Sequence, residues 1–424
     1  MRPRTWVLVL AAVFAVCQLA NVTGRDTPDT KNYLSYALSL GGEDKHTAAA
    51  RTIDYACASR ASTAARKQSV DVVRFHRPDP TGRVMAACRA REWRVVGARL
   101  AAGQTGGHTT PYMSRRFMRI FEVRPGYPVF LLPFVTVFGV TWGVWAASVV
   151  VAVAGGVLAF LVLRSLRAPT ALCLTGQALF YVLPCGTTAM RPMTEGLLLT
   201  LTLAAVWGCA LALDGRVRAG TLLVGGALAA LFAVKHSQSL FLGLCLAAAG
   251  ATVGVRRRRA GTPFGRGLVA VTAVGCCGAL GTLLLARALH YPAESESLQD
   301  LLTGHFSRPD RTRPWPEFFQ LQFHFWVEWL RRQLWEPLFV AALAAGAYGA
   351  LRRRRAFGCL LLAAASTGVL TQAGHPDIDI WGDRLIVLAW LLPVVGVPLL
   401  LEPLVRRPVV VPLQDRAEPA HSMR

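Results

Sequence analysis

Lysine is nearly missing from this chain: of 46 basic residues only Lys31, Lys45, Lys67 and Lys235 are lysines. Acidic residues are also sparse, 24 in 424, and charged residues together make up 17%. There is no Gly-rich phosphate loop, no nucleophile elbow, no zinc-type cysteine cluster and no H-E-x-x-H spacing, so soluble ATP-driven chemistry drops out as a reading. What is present is apolar, 53% of the residues. Runs of about 20 apolar residues recur between short Arg-rich gaps, the pattern of an integral membrane protein. In a soluble protein the net charge of +22 would suggest nucleic acid. Here the arginines cluster between apolar runs, as in cytoplasmic loops, and nucleic acid is excluded as a partner.

The start "MRPRTWVLVLAAVFAVCQLA", basic and then apolar with no small-x-small cleavage site after it, is read as a first span. Further candidates cover residues 142–163, 170–186, 193–213, 219–234, 237–255, 267–289, 335–351, 356–373 and 385–401. The expected fold is all-α and polytopic, with about ten spans. With the N-terminus inside, Arg164 and Arg167, Arg216 and Arg218, Arg256 to Arg259 with Arg266, Arg352 to Arg355, and Arg406 with Arg407 all fall on the inner side. That places both termini in the cytoplasm of a cell-membrane protein and makes residues 402–424 an inner tail.

This topology requires that "GYPVFLLPFVTVFG", residues 126–139, does not span, because counting it would export both RRRR clusters. It is read as lying along the outer face. The preceding "YMSRRFMRIFEV" sets Met113, Phe117, Ile120 and Phe121 against Arg115, Arg119 and Glu122 at helical spacing. "PWPEFFQLQFHFWVEWLRRQLW", rich in Trp and Phe, is a second interfacial candidate. Residues 22–141 and 290–334 thus form two outer loops. Eight of the ten cysteines lie in apolar runs and act as small core residues. Cys57 and Cys88 lie in the first outer loop, where a disulfide between them is allowed by compartment.

The polar residues that remain gather on the outer side: Asp26 and Asp29, Arg191 and Glu195, Lys235 and His236, His305, and the "GHPDIDIWGDR" loop with His375, Asp377, Asp379, Asp383 and Arg384. Ionisable groups at span ends are costly unless solvated or paired, so their convergence is a functional hypothesis. A cationic pocket beside a carboxylate suits a lipid phosphate next to a hydroxyl that must lose its proton.

"PDTKNYLSYALSL" resembles the aspartate-centred start of the first outer loop in the GT-C superfamily of membrane glycosyltransferases, with Tyr33 four residues after Asp29. "RPGYPVFLLPFVTVFG" is similar to the stretch before their second span, "TTAMRPMTEGLLLTLTLAAVW" to the loop entering their fourth, and "ALFAVKHSQSLFLGLCL" to their Lys-containing turn. "DIWGDRLIVLAWLLPVVG" is similar to the Arg-bearing start of a late span. The order of the five stretches matches. The resemblance implies transfer of a sugar from a polyprenyl-phosphate donor to a glycan, lipid or protein acceptor. Asp29 would be the catalytic carboxylate, with Asp26 beside it, and Arg191, Glu195, Lys235, His236 and Arg384 would bind donor phosphate or substrate. Some relatives use a divalent metal, for which Glu195 is the candidate.

Other readings stay open. Asp26 and Asp29 suit helix N-caps, Lys235 suits a snorkelling span end, and Arg191 and Glu195 are spaced to pair with each other. "HPDIDIWGD" reads as a solvated loop or an oxygen-ligand metal loop. At the level of the whole chain the rivals are a transporter or flippase of a lipid-linked or anionic substrate and a non-catalytic envelope scaffold.

Overall fold

The computed structural model describes residues 2–377 and 384–406. Every regular element among them is helical. Helix α1 (Pro3–Gln18) is followed by α2 (Thr30–Leu40), α3 (Lys45–Ser69), α4 (Thr81–Ala101) and α5 (Arg115–Glu122). The apolar series then runs through α6 (Gly126–Ser165), α7 (Thr170–Val182), α8 (Pro184–Ala189), α9 (Thr194–Leu213), α10 (Val217–Arg259) and α11 (Arg266–Ala288). It continues through α12 (Glu294–Leu302), α13 (Pro314–Trp335), α14 (Leu338–Arg353), α15 (Arg355–Gly374) and α16 (Leu391–Val405). Seven of the described helices are long and apolar enough to cross a bilayer, and α13 with α14, bent by 88°, would make an eighth if the pair is one broken span. The chain is an all-helical, multi-pass membrane protein.

The expected count of ten differs from this, for reasons visible in the backbone. The span expected at 170–186 stops at Val182, because Leu183 precedes Pro184 and takes an extended conformation that proline favours in the residue before it. The span expected at 335–351 is the 16-residue α14, set at 88° to α13. The two spans expected at 219–234 and 237–255 correspond to the two halves of α10, which part at Lys235, whose backbone is extended (φ −163°, ψ 95°). The halves fold back on each other. Ser239 Oγ donates to the Leu228 carbonyl at 2.9 Å, whereas a straight helix would hold residues 11 apart at roughly 16 Å.

Helix α6 is broken too, at Gly139 (φ 71°, ψ 175°), a left-handed conformation that a side chain would strain. A Cβ at Gly143 would lie 2.5 Å from the Phe134 carbonyl oxygen, so residues 126–138 pack back across 140–165. The stretch expected not to span is therefore a separate helix from the one that follows.

Outside the bundle, α3 and α4 form a hairpin joined by a Cys57–Cys88 disulfide, Cα–Cα 5.6 Å. Helix α2 packs with α5 and the start of α6 around buried Tyr33, Leu34, Phe121, Tyr127 and Leu131. Phe117, Phe121, Met113 and Ile120 of the amphipathic stretch join that core. Its Glu122 carboxylate accepts from the backbone N–H groups of His108 (2.8 Å) and Thr109 (2.7 Å). Gly107 (φ 75°) runs so close to that carboxylate that a Cβ would lie 2.7 Å from Oε1. Arg116 reaches Glu296 and Asp310, each at 2.7 Å, so the 22–141 and 290–334 segments dock on each other.

The bundle has two chemically distinct ends. At one, Arg354 Nη2 donates to the Leu166 carbonyl, Arg406 Nη2 to that of Arg167, and Arg167 pairs with Asp214 at 3.0 Å. The arginine clusters 164–167, 256–259 and 352–355 belong to this end. Asp29, Glu195, Lys235 and Arg384 lie at the other. Asp379, Asp383, Arg407 and most of the 402–424 tail fall outside the described residues.

Candidate functional site

The site begins with how α2 is anchored. Thr30, at its first turn, donates its hydroxyl to the Pro192 carbonyl at 3.0 Å and accepts from the Thr27 N–H at 2.9 Å. This fastens the start of α2 to the turn before α9, which carries Glu195 on its first turn. Asp29 is the N-cap residue of α2, yet its carboxylate makes no capping bond. The carboxylate is left to face Arg384.

Arg384 joins the two acids. Its Nη2 is ion-paired with Asp29 Oδ2, and its Nε lies 3.3 Å from Glu195 Oε1. Glu195 is 5% exposed and Asp29 22%, so both charges are largely removed from water and depend on that guanidinium. Glu195 also accepts from the Thr194 hydroxyl at 3.2 Å. Burial pushes the Asp29 carboxyl above the ordinary carboxylate range, while Arg384 opposes the rise.

Two more cations face the pair. Lys235, held at the fold-back of α10, acts through space on both Glu195 and Asp29. Arg124, in the turn between α5 and α6, acts on Asp29 and lies against the hydroxyl of buried Tyr33. Its buried Nε has no hydrogen-bond partner among the described residues. Arg124 was not singled out by sequence, since one arginine among so many carries no signal. Its position just before the Pro-Gly that opens α6 was the cue available.

The other expected residues are placed as follows. Asp26 does not join Asp29. It turns toward the α3–α4 hairpin, where its N–H donates to Ser59 Oγ at 3.1 Å and its neighbours are Arg60, Lys31 and Glu92. Pro28 and the α2 cap separate the two acids, and they serve different neighbourhoods. Arg191 lies in the turn before α9, with its N–H on the Thr188 carbonyl at 3.0 Å, while Glu195 four residues on takes Arg384. The His236 ring meets Tyr291 edge-on at 5.1 Å and its Nδ1 is buried without a partner among the described residues. His305 is bonded to Asp300 at 3.1 Å, at the edge of α5.

Among the described residues the space beside Arg384 is small. The space bounded by Glu195, Lys235, Gln238, Thr371 and Arg384 is about 10 Å³, about one water probe, because Arg384 spans the gap between the carboxylates. Arg384 engages one oxygen of each carboxylate, Asp29 Oδ2 and Glu195 Oε1. Among the described residues no group of three or more metal-ligating side chains exists.

The chain matches no protein-family model, no curated protein and no solved structure.

Proposed function

We propose that this chain is a GT-C-type glycosyltransferase of the cell membrane, moving a sugar from a polyprenyl-phosphate donor to an acceptor hydroxyl on a glycan, lipid or protein. The arginine-rich end is cytoplasmic by the positive-inside rule, with both chain termini there, so the Asp29 end faces outward. The observation that carries the reading is one cluster: Asp29 and Glu195 facing Arg384, Arg124 and Lys235.

Charge bookkeeping supports a phosphodiester. Of the described residues in the cluster, the three cations Arg384, Arg124 and Lys235 face the two carboxylates Asp29 and Glu195, a surplus of one positive charge that a monoanionic sugar phosphodiester would neutralise. In the transfer, the acceptor oxygen attacks the anomeric carbon as its proton passes to Asp29. The bond from that carbon to the phosphate oxygen breaks, configuration inverts, and polyprenyl phosphate leaves. The leaving phosphate gains a negative charge as Asp29 loses one, so the balance of the cluster is kept. Protonation of Asp29 also frees the face of Arg384 that had paired with it, for the phosphate that has just become more anionic. Burial raises the proton affinity of Asp29, which favours its taking up the acceptor's proton.

The test is sugar transfer by the reconstituted full chain from radiolabelled polyprenyl-phosphate sugars. Wild-type protein transfers label, and Asp29→Asn abolishes transfer while leaving the protein in the membrane. Full activity of that variant overturns the assignment. Passage of the intact donor across the bilayer without cleavage would favour a flippase.

A further inference from the structure

The opposite end of the bundle holds a cavity of about 820 Å³. Five arginines line it, Arg167, Arg257, Arg266, Arg354 and Arg355, against one carboxylate, Asp214, which Arg167 already engages at 3.0 Å. Three helices begin at its wall: α10 at Val217, α11 at Arg266 and α15 at Arg355. None of the three has a side-chain cap on its first N–H groups. Each helix start leaves up to four N–H groups without intrahelical acceptors and carries a partial positive charge of about one half. Three uncapped helix starts and five guanidiniums around one space make an anion site. The rest of the wall is apolar span ends, including Leu166, Leu213 and Phe357.

We propose that this cavity binds a phosphate group, that of an anionic phospholipid whose acyl portion leaves along the apolar wall. The lining selects among neighbouring arginines. In the run Arg256 to Arg259 only Arg257 faces the cavity, and in Arg352 to Arg355 only Arg354 and Arg355 do. A general attraction of basic loops to an anionic leaflet would draw no such distinction, and a site does.

The experiment uses full-length protein in phosphatidylcholine nanodiscs with and without phosphatidylglycerol, with retained lipid counted by native mass spectrometry. The variant R257Q/R266Q/R354Q is expected to retain phosphatidylglycerol at least about tenfold less well than wild type, since one charge-assisted hydrogen bond is worth about that factor. The control R256Q/R258Q/R353Q removes the same charge from outside the cavity and is expected to change retention little. Equal loss in both overturns the site. Should the triple variant not fold, R266Q at an exposed side chain is compared with R258Q, and equal retention overturns the proposal. A parallel thermal-shift titration with inorganic pyrophosphate in lipid-free detergent separates the sources. Stabilisation lost on R266Q assigns the site to a free phosphate compound instead of a lipid, and no response to pyrophosphate together with selective lipid retention assigns it to the headgroup. No response of wild-type protein to either overturns the site altogether.

Discussion

Replacing Asp26 by asparagine separates the two aspartates that the sequence sets three residues apart. Burial, partly offset by Arg60 and Lys31, raises the Asp26 carboxyl from 3.8 to about 6, and its Oδ1 has no hydrogen-bond partner among the described residues. The folded chain thus binds this proton more tightly than the unfolded chain does. The stability this proton confers is complete below about pH 4 and is lost as pH rises through about 6, the opposite of a salt-bridged acid. The displacement corresponds to up to about 3 kcal/mol on the ionised form, less what solvent recovers at a half-buried side chain. The neutral amide of Asp26→Asn carries no such cost. At neutral pH the variant is expected to melt several degrees higher, at roughly 2 °C per kcal/mol in a chain of this size, and at pH 4 the two proteins are expected to melt together. Melting of detergent-solubilised protein by intrinsic fluorescence across pH 4–8 reads the difference. Lower stability of Asp26→Asn at neutral pH, or a difference independent of pH, refutes the reasoning, and loss of sugar transfer would return Asp26 to the catalytic site.

Removing the disulfide in C57S/C88S opens a crosslink across 31 residues, worth about 4 kcal/mol in the chain-entropy account; protease cleavage within residues 70–80 should accelerate, and an unchanged rate would show that the hairpin stands without it. Arg124→Gln leaves the Asp29–Arg384 pair intact and is expected to raise the KM for the phosphate donor about tenfold, the worth of one charge-assisted bond, with a smaller change in kcat; an unchanged KM removes Arg124 from the site. Because the Asp29 carboxyl is raised by burial and the base must be ionised, transfer is expected to fall on acidification at a pH above the ordinary carboxylate range of about 4, and a rate flat through that range would count against Asp29 as base.

The membrane character, the grouping of the arginine clusters at one end of the bundle and the parting of residues 126–139 from the helix that follows were legible because they follow from composition and period, which act locally. The helix starting after Asp29 was legible for the same reason. Span number was legible in part: the turn at Lys235 falls between the two spans expected at 219–234 and 237–255, whereas the stop at Leu183 before Pro184 and the 88° bend between α13 and α14 were not expected, because a window of mean hydropathy weighs neither. The convergence of Asp29, Glu195 and Arg384 could be suspected from shared sidedness. That Arg384 would bridge both acids and close the pocket could not, since it spans 355 residues of sequence. The step to Tyr33 favoured Asp29 over Asp26 in the sequence, but that the two acids serve different neighbours shows only in the Thr30–Pro192 anchor and the Ser59 contact.

The most direct test is photocrosslinking with a polyprenyl-phosphate sugar analogue carrying a diazirine beside the phosphate, followed by peptide mapping in wild type and Asp29→Asn. Our account expects label on the segments carrying Arg124, Lys235 and Arg384 in both proteins, with transfer only in wild type. Label confined to other segments, or transfer persisting in Asp29→Asn, would contradict it.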